Sequence, residues 1–229
     1  MKYIIIGLGR FGSTLATSLT AMGHEVVGVD KDMRKVNAFK DKITHAICLD
    51  SSDADSIKNL PLKDADVVVV SIGKDFDASI MTTALLKQHQ VKRLISRSIS
   101  VLHQTVIEAI GIDQVISPEE ESAVRLAKKL QMTGVIDSFD LSENYSVIEA
   151  QVPKRFVGKT IEEINLRGRY NLNVLTIIKM IESINLFGKP HKKPRVMGVI
   201  QPTTKLEEED ILVLFGRPAD VQSCLNAEK

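Results

Sequence analysis

The sequence predicts an α/β protein, with a doubly wound parallel sheet in residues 1–134 and a small α+β domain in residues 135–229. In the first part, short β-branched apolar runs alternate with longer segments of helical periodicity. A glycine-rich turn follows the first of these runs, and the alternation stops near Thr133-Gly134. Continuous apolar strands between helices are typical of a parallel sheet that is covered on both faces.

Six strands are expected in the first domain, because the apolar runs recur between helical segments. They are Tyr3–Ile6, Glu25–Val29, His45–Leu49, Asp66–Ile72, Arg93–Ser96 and Gln114–Ile116. The four valines of Val67–Val70 suit a buried central strand. Gly23 and Gly111 each follow a helical segment, where glycine readily forms a left-handed C-cap. A helix that starts at Pro118 and runs to about Met132 closes the domain.

The second domain is predicted from a different pattern, in which strands follow one another with few helices between them. The predicted strands are Ser146–Val152, Val174–Ile178, Val196–Ile200 and Ile211–Phe215. One helix is expected over Thr160–Arg169, opened by a threonine with a glutamate three residues later, and a terminal helix near Ala219. The segment Phe187–Arg195 combines glycine, prolines and cations, so we expect a solvated loop; a functional basic finger is the alternative.

Composition excludes several classes of protein. The chain has 229 residues and a formal net charge of +1, so bulk attraction to nucleic acid is not expected. Its two cysteines, Cys48 and Cys224, are far apart and form no C-x-x-C pair, which argues against a disulfide scaffold or a thiolate metal site. The sequence contains neither a long apolar span nor a signal peptide, so a cytoplasmic location is expected.

The motif that carries chemistry is Gly7-x-Gly9-x-x-Gly12, placed directly after the first strand and at the start of the first helix. In a Rossmann-like domain the first glycine allows a tight turn, the second lets the backbone approach a pyrophosphate, and the third lets helix and strand pack closely. Asp30 ends the second strand, where a carboxylate can bind both ribose hydroxyls and would repel a 2′-phosphate. The pattern therefore predicts a nucleotide site and makes NADP unsuitable.

Other residues of the predicted site follow the ends of the strands, because ligands bind outside the carboxyl ends of such sheets. Arg10 lies in the glycine turn, where its guanidinium could offset a third phosphate or simply pair with a nearby acid. The remaining predicted lining residues are Phe11, Lys31, Asp50, Ser51, Ser71, Ile72, Gly73 and Arg97. Several of them would serve equally well as ordinary turn residues.

Two other functions are alternatives to nucleotide sensing. A small NAD-dependent oxidoreductase needs an acid or base beside the nicotinamide, and no histidine falls at the carboxyl end of a predicted strand. An NADH-sensing redox regulator of transcription would need a helix-turn-helix and a basic face, which the near-zero net charge does not suggest. The sequence therefore favours a ligand-sensing protein that is not an enzyme.

Together these motifs resemble a known group of proteins. The string Ile6-Gly7-Leu8-Gly9-Arg10-Phe11-Gly12, with Val29-Asp30, Ser71-Ile72-Gly73 and Ser117-Pro118-Glu119, resembles the regulatory subunits of Trk/Ktr potassium uptake systems, the RCK (regulator of conductance of potassium) proteins. The resemblance covers nearly the whole chain, since a small C-terminal domain follows the Rossmann block in that family too.

The resemblance implies a cytoplasmic homo-oligomer, built from dimers into an octameric ring, that docks on a membrane ion-translocating subunit. ATP, ADP or NAD(H) would bind the N-terminal domains, with Arg10 on the γ-phosphate of ATP and Arg97 where the family often has a lysine. Glu119 matches a family glutamate associated with Mg²⁺ or another divalent cation; an acid is also favoured there by the helix dipole. Cyclic di-AMP would bind the C-terminal domain near Ile161, Arg167, Asn173 and Val174.

Overall fold

The computed structural model describes residues 1–184 and 190–226, and within it the chain forms two compact units, Met1–Glu119 and Glu120–Lys229. The domain boundary that the sequence predicts after residue 134 stays a prediction. The two compact units meet after Glu119, which is the second residue of the helix that the sequence prediction placed in the first domain. The doubly wound sheet and the separate α+β domain are both confirmed.

The first unit alternates strands and helices from end to end. Its elements are β1 (Lys2–Ile6), α1 (Arg10–Ala21), β2 (Glu25–Asp30), α2 (Met33–Phe39), β3 (His45–Cys48), α3 (Ala54–Ile57), β4 (Val67–Val70), α4 (Phe76–Gln88), β5 (Leu94–Arg97), α5 (Val101–Ile110) and β6 (Gln114–Ile116). All six strands pair in parallel, in the order β3-β2-β1-β4-β5-β6. The order reverses between β1 and β4, the point at which such sheets bind ligands.

Side chains of the central strands alternate between the two faces of this sheet. Ile4 and Ile6 pack in one apolar cluster with Leu86, whereas Ile5 packs in the other with Ala16. All five side chains are essentially inaccessible to solvent. The sheet is thus buried on both faces, so only its edges and the ends of its strands can present a site.

The second unit begins with α6 (Pro118–Gln131), whose first two residues belong to the first unit, and contains an antiparallel sheet. Its strands are β7 (Val135–Asp140), β8 (Ser146–Gln151), β9 (Asn173–Ile184), β10 (Pro190–Val196) and β11 (Ile211–Gly216), in the order β10-β9-β11-β8-β7. The helices are α7 (Ile161–Ile164), α8 (Leu166–Tyr170) and α9 (Pro218–Asn226). Ile148, Leu172, Ile177 and Leu214 are among the fully buried core residues.

Two strand predictions in this unit were wrong. Strand β7 is absent from the sequence prediction, because Val135–Asp140 is rich in polar residues and gains its strand character from pairing with β8. It also placed a strand at Val196–Ile200, whereas β10 is Pro190–Val196 and pairs with β9. Residues 187–189 of the predicted basic loop lie outside the described residues. The rest of that segment is an edge strand, where prolines and lysines are tolerated and discourage further pairing.

The helix predicted over Thr160–Arg169 is divided into α7 and α8 by Asn165. Thr160 and Glu163 form the expected capping box, with both reciprocal hydrogen bonds present. Asn165 then adopts a left-handed conformation with φ of 49°, and its side chain accepts a hydrogen bond from the Gly168 N–H. Asparagine tolerates this conformation better than most residues, so the break is encoded locally.

Helix α6 is the one long helix among the described residues that buries none of its side chains. Arg125 contacts Asp137 of β7, and Lys128 contacts Asp140 of the same strand. Leu126 and Leu130 remain exposed on the face turned away from these ion pairs. A 14-residue helix with no buried face gains little from packing, so its stability depends on these local contacts or on a partner.

Candidate functional site

The predicted site residues of the first unit lie at one edge of the parallel sheet. Each follows or ends a strand: the glycine turn follows β1, Asp30 ends β2, Asp50 follows β3, Ser71 follows β4 and Arg97 ends β5. Since the strands are parallel, their carboxyl ends share this edge. The structure therefore brings together segments that are up to 90 residues apart in sequence, as the motif spacing predicts.

The glycine turn is fixed by hydrogen bonds on both sides. Gly7 adopts φ of 97°, which side-chain-bearing residues rarely do, and its N–H donates to the Val29 carbonyl at 2.7 Å. Ser71 donates from its buried hydroxyl toward the Ile6 and Gly7 carbonyls, 2.9 and 2.7 Å away. Helix α1 begins at Arg10, so its free N–H groups face the turn, where an anion is favoured.

The three glycines differ in what a side chain would meet. A Cβ on Gly12 would lie 2.0 Å from the Gly7 carbonyl oxygen and 2.3 Å from the Ser71 hydroxyl, so helix and strand touch there. A Cβ on Gly9 would meet no atom within 4 Å. Open space at Gly9 beside a helix N-terminus is what close approach of a phosphate requires.

Asp30 connects the first two strand ends. It is 6% exposed, and its Oδ2 accepts hydrogen bonds from the Leu8 N–H at 2.8 Å and from Lys35 Nζ at 2.8 Å. Its Oδ1 accepts from the Asp32 N–H at 2.9 Å. The carboxylate thus holds the glycine turn against the start of α2. A ribose hydroxyl that donated to Oδ2 would displace the Lys35 ammonium or share the carboxylate with it.

Charged residues beside Asp30 are paired with one another. Lys31 Nζ lies 3.0 Å from Asp75 Oδ2, and this hydrogen bond raises the pKa of the lysine. Asp75 caps α4 by accepting from the Ala78 N–H, which is the main reason that the pKa of this carboxyl is lowered. Hydrogen bonds from the Ser52 hydroxyl and N–H lower the pKa of Asp50. All three groups therefore carry their full charge near neutral pH.

Two predicted lining residues have their hydroxyls engaged within the protein. Ser51 is buried, and its Oγ lies 2.9 Å from Thr82 Oγ1 on α4. Ser71 is also buried and supports the glycine turn as described above. Ile72 packs its side chain partly against the core. We therefore expect these residues to shape the site through backbone groups and packing, and not through direct side-chain bonds to a ligand.

Arg97 lies across the end of β4. Its guanidinium is 5.8 Å from the centre of the Phe11 ring, and a Cβ on Gly73 would lie 2.6 Å from one of its nitrogens. The side chain is 15% exposed and forms an ion pair with Glu119 at the start of α6. Its Nε is buried and has no hydrogen-bond partner among the described residues. Buried donors without a partner are rare, and a bound ligand is one of the explanations for such a group.

Glu119 is a single carboxylate beside a guanidinium, which is a poor metal site by itself. Within residues 1–184 and 190–226, no three or more histidine, cysteine, aspartate or glutamate side chains are grouped so that they could hold a metal ion. A divalent cation at Glu119 would need further oxygen ligands, and phosphate oxygens are suitable ones.

The four residues predicted in the C-terminal domain fall on neighbouring elements. Ile161 starts α7 and Val174 is the second residue of β9, and both pack partly against the core of the second unit. Arg167 of α8 and Asn173 at the start of β9 are exposed. A cyclic dinucleotide site at these residues stays a prediction.

His103 of α5 is fully buried, and its ring accepts a hydrogen bond from the residue that precedes the N-cap of its own helix. The Ser100 hydroxyl accepts from the His103 N–H at 3.2 Å, and Nδ1 of the ring accepts from the Ile99 N–H at 3.2 Å. The ring also packs on Phe76, with centroids 4.9 Å apart. Burial lowers the pKa of His103, because the charged ring would lose its hydration.

We expect the first unit to lose stability as the pH falls below about 6.5, the ordinary histidine pKa. The folded-state pKa of His103 is lowered, so in acid the unfolded chain binds a proton that the folded chain does not. The contribution of His103 to the free energy of unfolding is complete above the pKa that histidine has in the unfolded chain. As the pH falls below that value, the contribution decreases by up to about 1.4 kcal/mol per pH unit, until the pKa of His103 in the folded chain is reached.

Urea unfolding of wild type and His103→Gln at pH 7.5 and 5.5 measures this effect. Glutamine keeps an acceptor for the Ile99 N–H but does not titrate, so the variant should show the weaker pH dependence. Equal pH dependence in both proteins would contradict a role of His103.

Three contacts of the site were not foreseen from the sequence. They are the Lys35–Asp30 ion pair, the Lys31–Asp75 ion pair, and a hydrogen bond of 2.7 Å between the hydroxyls of Ser98 and Ser117. A lysine in the first turn of α2, where the dipole favours acids, was an available signal for the first of them. The other two join segments distant in sequence, for which the sequence carries no local signal.

Comparison with known proteins places the chain among potassium uptake proteins. The TrkA-N domain family matches residues 3–118. Ktr system potassium uptake protein C of Bacillus subtilis (strain 168) is 32% identical over 96% of this chain and 94% of its own length.

Two solved structures share the fold over nearly the whole chain. The RCK domain of GsuK covers 100% of this chain with a TM-score of 0.66, and the GsuK channel bound to NAD covers 99% with a TM-score of 0.64; each is 18% identical. This chain spans 48% and 39% of those two chains. Within the described residues no helix is both long and apolar enough to cross a membrane.

Proposed function

The chain belongs to the TrkA-N domain family and, within it, to the Ktr potassium uptake proteins, and we propose that it is a nucleotide-binding regulatory subunit that gates a membrane ion-translocating protein. The observation that carries the proposal is the glycine turn, held beside the N-terminus of α1 and joined to the Asp30 carboxylate by the Leu8 N–H. The turn suits a phosphate and the carboxylate suits a ribose, which is the arrangement of an adenine nucleotide or dinucleotide.

ATP or ADP is the favoured ligand, and NAD(H) is the alternative. Arg10 is exposed at the first position of α1, and no described ion pair or hydrogen bond occupies its guanidinium. A free arginine beside the phosphate site can bind a γ-phosphate. The GsuK channel bound to NAD has a similar fold, which supports keeping the dinucleotide as an alternative. Mg²⁺ or another divalent cation would be held by Glu119 together with the phosphates.

Regulation then follows from a difference in affinity between two conformations, since a ligand shifts an equilibrium only by that difference. A ten-fold difference in affinity between the two conformations at one site corresponds to about 1.4 kcal/mol. The contributions of several sites in one assembly add to one another. We propose that the sites act within a homo-oligomer of dimers that forms an octameric ring at the inner face of the membrane.

The exposed apolar residues of two helices support such an assembly. Leu126 and Leu130 of α6 are 55% and 78% exposed, and Val101 and Leu102 of α5 are 85% and 67% exposed. Apolar side chains grouped on helix surfaces are typical of interfaces. In this proposal the subunit is not an enzyme, binds no nucleic acid, and reaches the membrane through its translocating partner. Cyclic di-AMP is proposed as a second ligand at Ile161, Arg167, Asn173 and Val174.

Equilibrium binding of ATP, ADP, NADH and NADPH to the purified protein, with and without Mg²⁺, tests the proposal. We expect ATP or ADP to bind tightly and NADPH to bind weakly, because Asp30 would repel a 2′-phosphate. Tight NADH binding without a response to adenine nucleotides would instead favour a dinucleotide sensor. Failure of all four ligands to bind would refute the proposed site.

Arg10→Ala should weaken ATP binding about ten-fold more than ADP binding, because a charge-assisted contact with the γ-phosphate would contribute about 1.4 kcal/mol. Titration calorimetry with both nucleotides measures the ratio. Arg34→Ala is the matched control: Arg34 pairs with Asp32 at the ribose end, so this substitution should leave the ratio unchanged. Equal losses of ATP and ADP affinity in Arg10→Ala would refute the γ-phosphate role.

A further inference from the structure

The end of β5 and the start of α6 are joined by two side-chain contacts. Arg97 forms an ion pair with Glu119, and the Ser98 hydroxyl lies 2.7 Å from the Ser117 hydroxyl. The Ser98 N–H also donates to the Ile116 carbonyl at 2.8 Å. Through these contacts the first turn of α6 is attached to the edge of the sheet at which the nucleotide site is proposed.

Arg97 is the one member of this attachment that also faces the proposed ligand. Its guanidinium packs over Phe11, the second residue of α1, and over Gly73. Its Nε is buried without a hydrogen-bond partner among the described residues, so the guanidinium has a donor to spare on the buried side. Glu119 itself is 67% exposed, so it holds Arg97 from the solvent side.

A guanidinium in this position can serve either Glu119 or a ligand phosphate. Both are anions, both form charge-assisted hydrogen bonds with arginine, and phosphate offers more acceptor oxygens. From this geometry, and on the basis of the proposed function, we infer that Glu119 competes with the bound nucleotide for Arg97, so that nucleotide binding releases the first turn of α6. Helix α6 buries none of its side chains, so loss of this ion pair removes one of its few attachments.

Binding of ADP in the presence of EDTA tests the competition, because no cation can then recruit Glu119. Glu119→Gln removes the competing charge and should bind ADP about three-fold more tightly than wild type, the range expected for a partly exposed ion pair. Arg97→Ala should bind ADP at least ten-fold more weakly. Glu120→Gln, at the next position of the same turn, is the matched control and should bind as wild type does.

Amide hydrogen exchange over residues 121–125 provides a second readout, independent of affinity. In wild type, saturation with ADP in EDTA should accelerate exchange in this part of α6. In Glu119→Gln, exchange should be fast with and without ADP. This pattern distinguishes release of the helix from a mere change in charge near the ligand.

Several results would overturn the inference. If Glu119→Gln binds ADP as wild type does, or more weakly, in EDTA, Glu119 does not compete for Arg97. If ADP slows exchange in residues 121–125, the ligand tightens the helix and does not release it. If wild type binds no nucleotide at all, the proposed function fails and this inference fails with it. Wild-type binding together with unchanged variants refutes the inference alone.

Discussion

Gly9→Ala should abolish most nucleotide binding while leaving the protein as stable as wild type. The backbone at Gly9 has φ of −70°, which alanine adopts freely, and a Cβ there meets no protein atom within 4 Å. The methyl group would instead occupy the space through which a phosphate approaches the N-terminus of α1. We expect affinity for ADP to fall roughly 100-fold, or about 2.7 kcal/mol, as measured by titration calorimetry.

Gly12→Ala, three residues away, serves as the structural counterpart. Its Cβ would lie 2.0 Å from a backbone oxygen of Gly7, which cannot move without displacing the turn. The free energy of unfolding should fall by about 3 kcal/mol, the upper part of the range for overpacked cores. Urea unfolding of both variants separates the two roles. A Gly9→Ala protein that binds ADP normally would show that no phosphate lies at the turn.

Asp30→Ala should reduce both nucleotide affinity and stability. The substitution leaves the buried Leu8 N–H and the Asp32 N–H without their acceptor and leaves Lys35 without its partner. Hydrogen bonds to a charged group are worth about 1.5–3 kcal/mol each, so we expect a loss of about 3 kcal/mol of unfolding free energy in total. Chemical denaturation at pH 7.5 measures this loss, and calorimetry measures binding.

Asp32→Ala is the matched control for this substitution. Asp32 caps α2 by accepting from the Arg34 N–H, so its removal should cost about 1 kcal/mol of stability. Nucleotide affinity should not change, because its side chain bonds Arg34 and not the glycine turn. If nucleotide affinity falls equally in both variants, the effect of Asp30→Ala on binding comes from the loss of negative charge at this edge of the sheet and not from the loss of a ribose contact.

The first unit was predictable because its signals are local. The central strands β1, β2 and β4 are short β-branched runs. The glycine spacing places the turn, the helix N-terminus and the Asp30 carboxylate at one edge. What the sequence did not reveal are contacts between distant segments, such as Arg97 with Glu119 or Ser51 with Thr82. These contacts depend on where the tertiary fold brings Thr82 and Glu119, and residue type alone does not identify their partners.

The second unit was harder to predict because its elements depend on their neighbours. Val135–Asp140 is a strand through its pairing with β8, and Pro190–Val196 is a strand although it contains two prolines and several cations. The break between α7 and α8 depends on a left-handed asparagine, Asn165, within an otherwise helical pattern. Pairing and backbone conformation override propensity at these positions.

The fixed glycine turn also has a consequence for rates. Gly7 is held by the Val29 carbonyl on one side and by Ser71 on the other, so the loop has its hydrogen bonds before any ligand arrives. A nucleotide therefore loses little free energy to the ordering of this loop, and its association should be limited mainly by diffusion and orientation. Differences in affinity between nucleotides would then arise mainly from differences in residence time. After a change in the cellular nucleotide ratio, the occupancy of the site would change only as fast as the more tightly bound nucleotide dissociates.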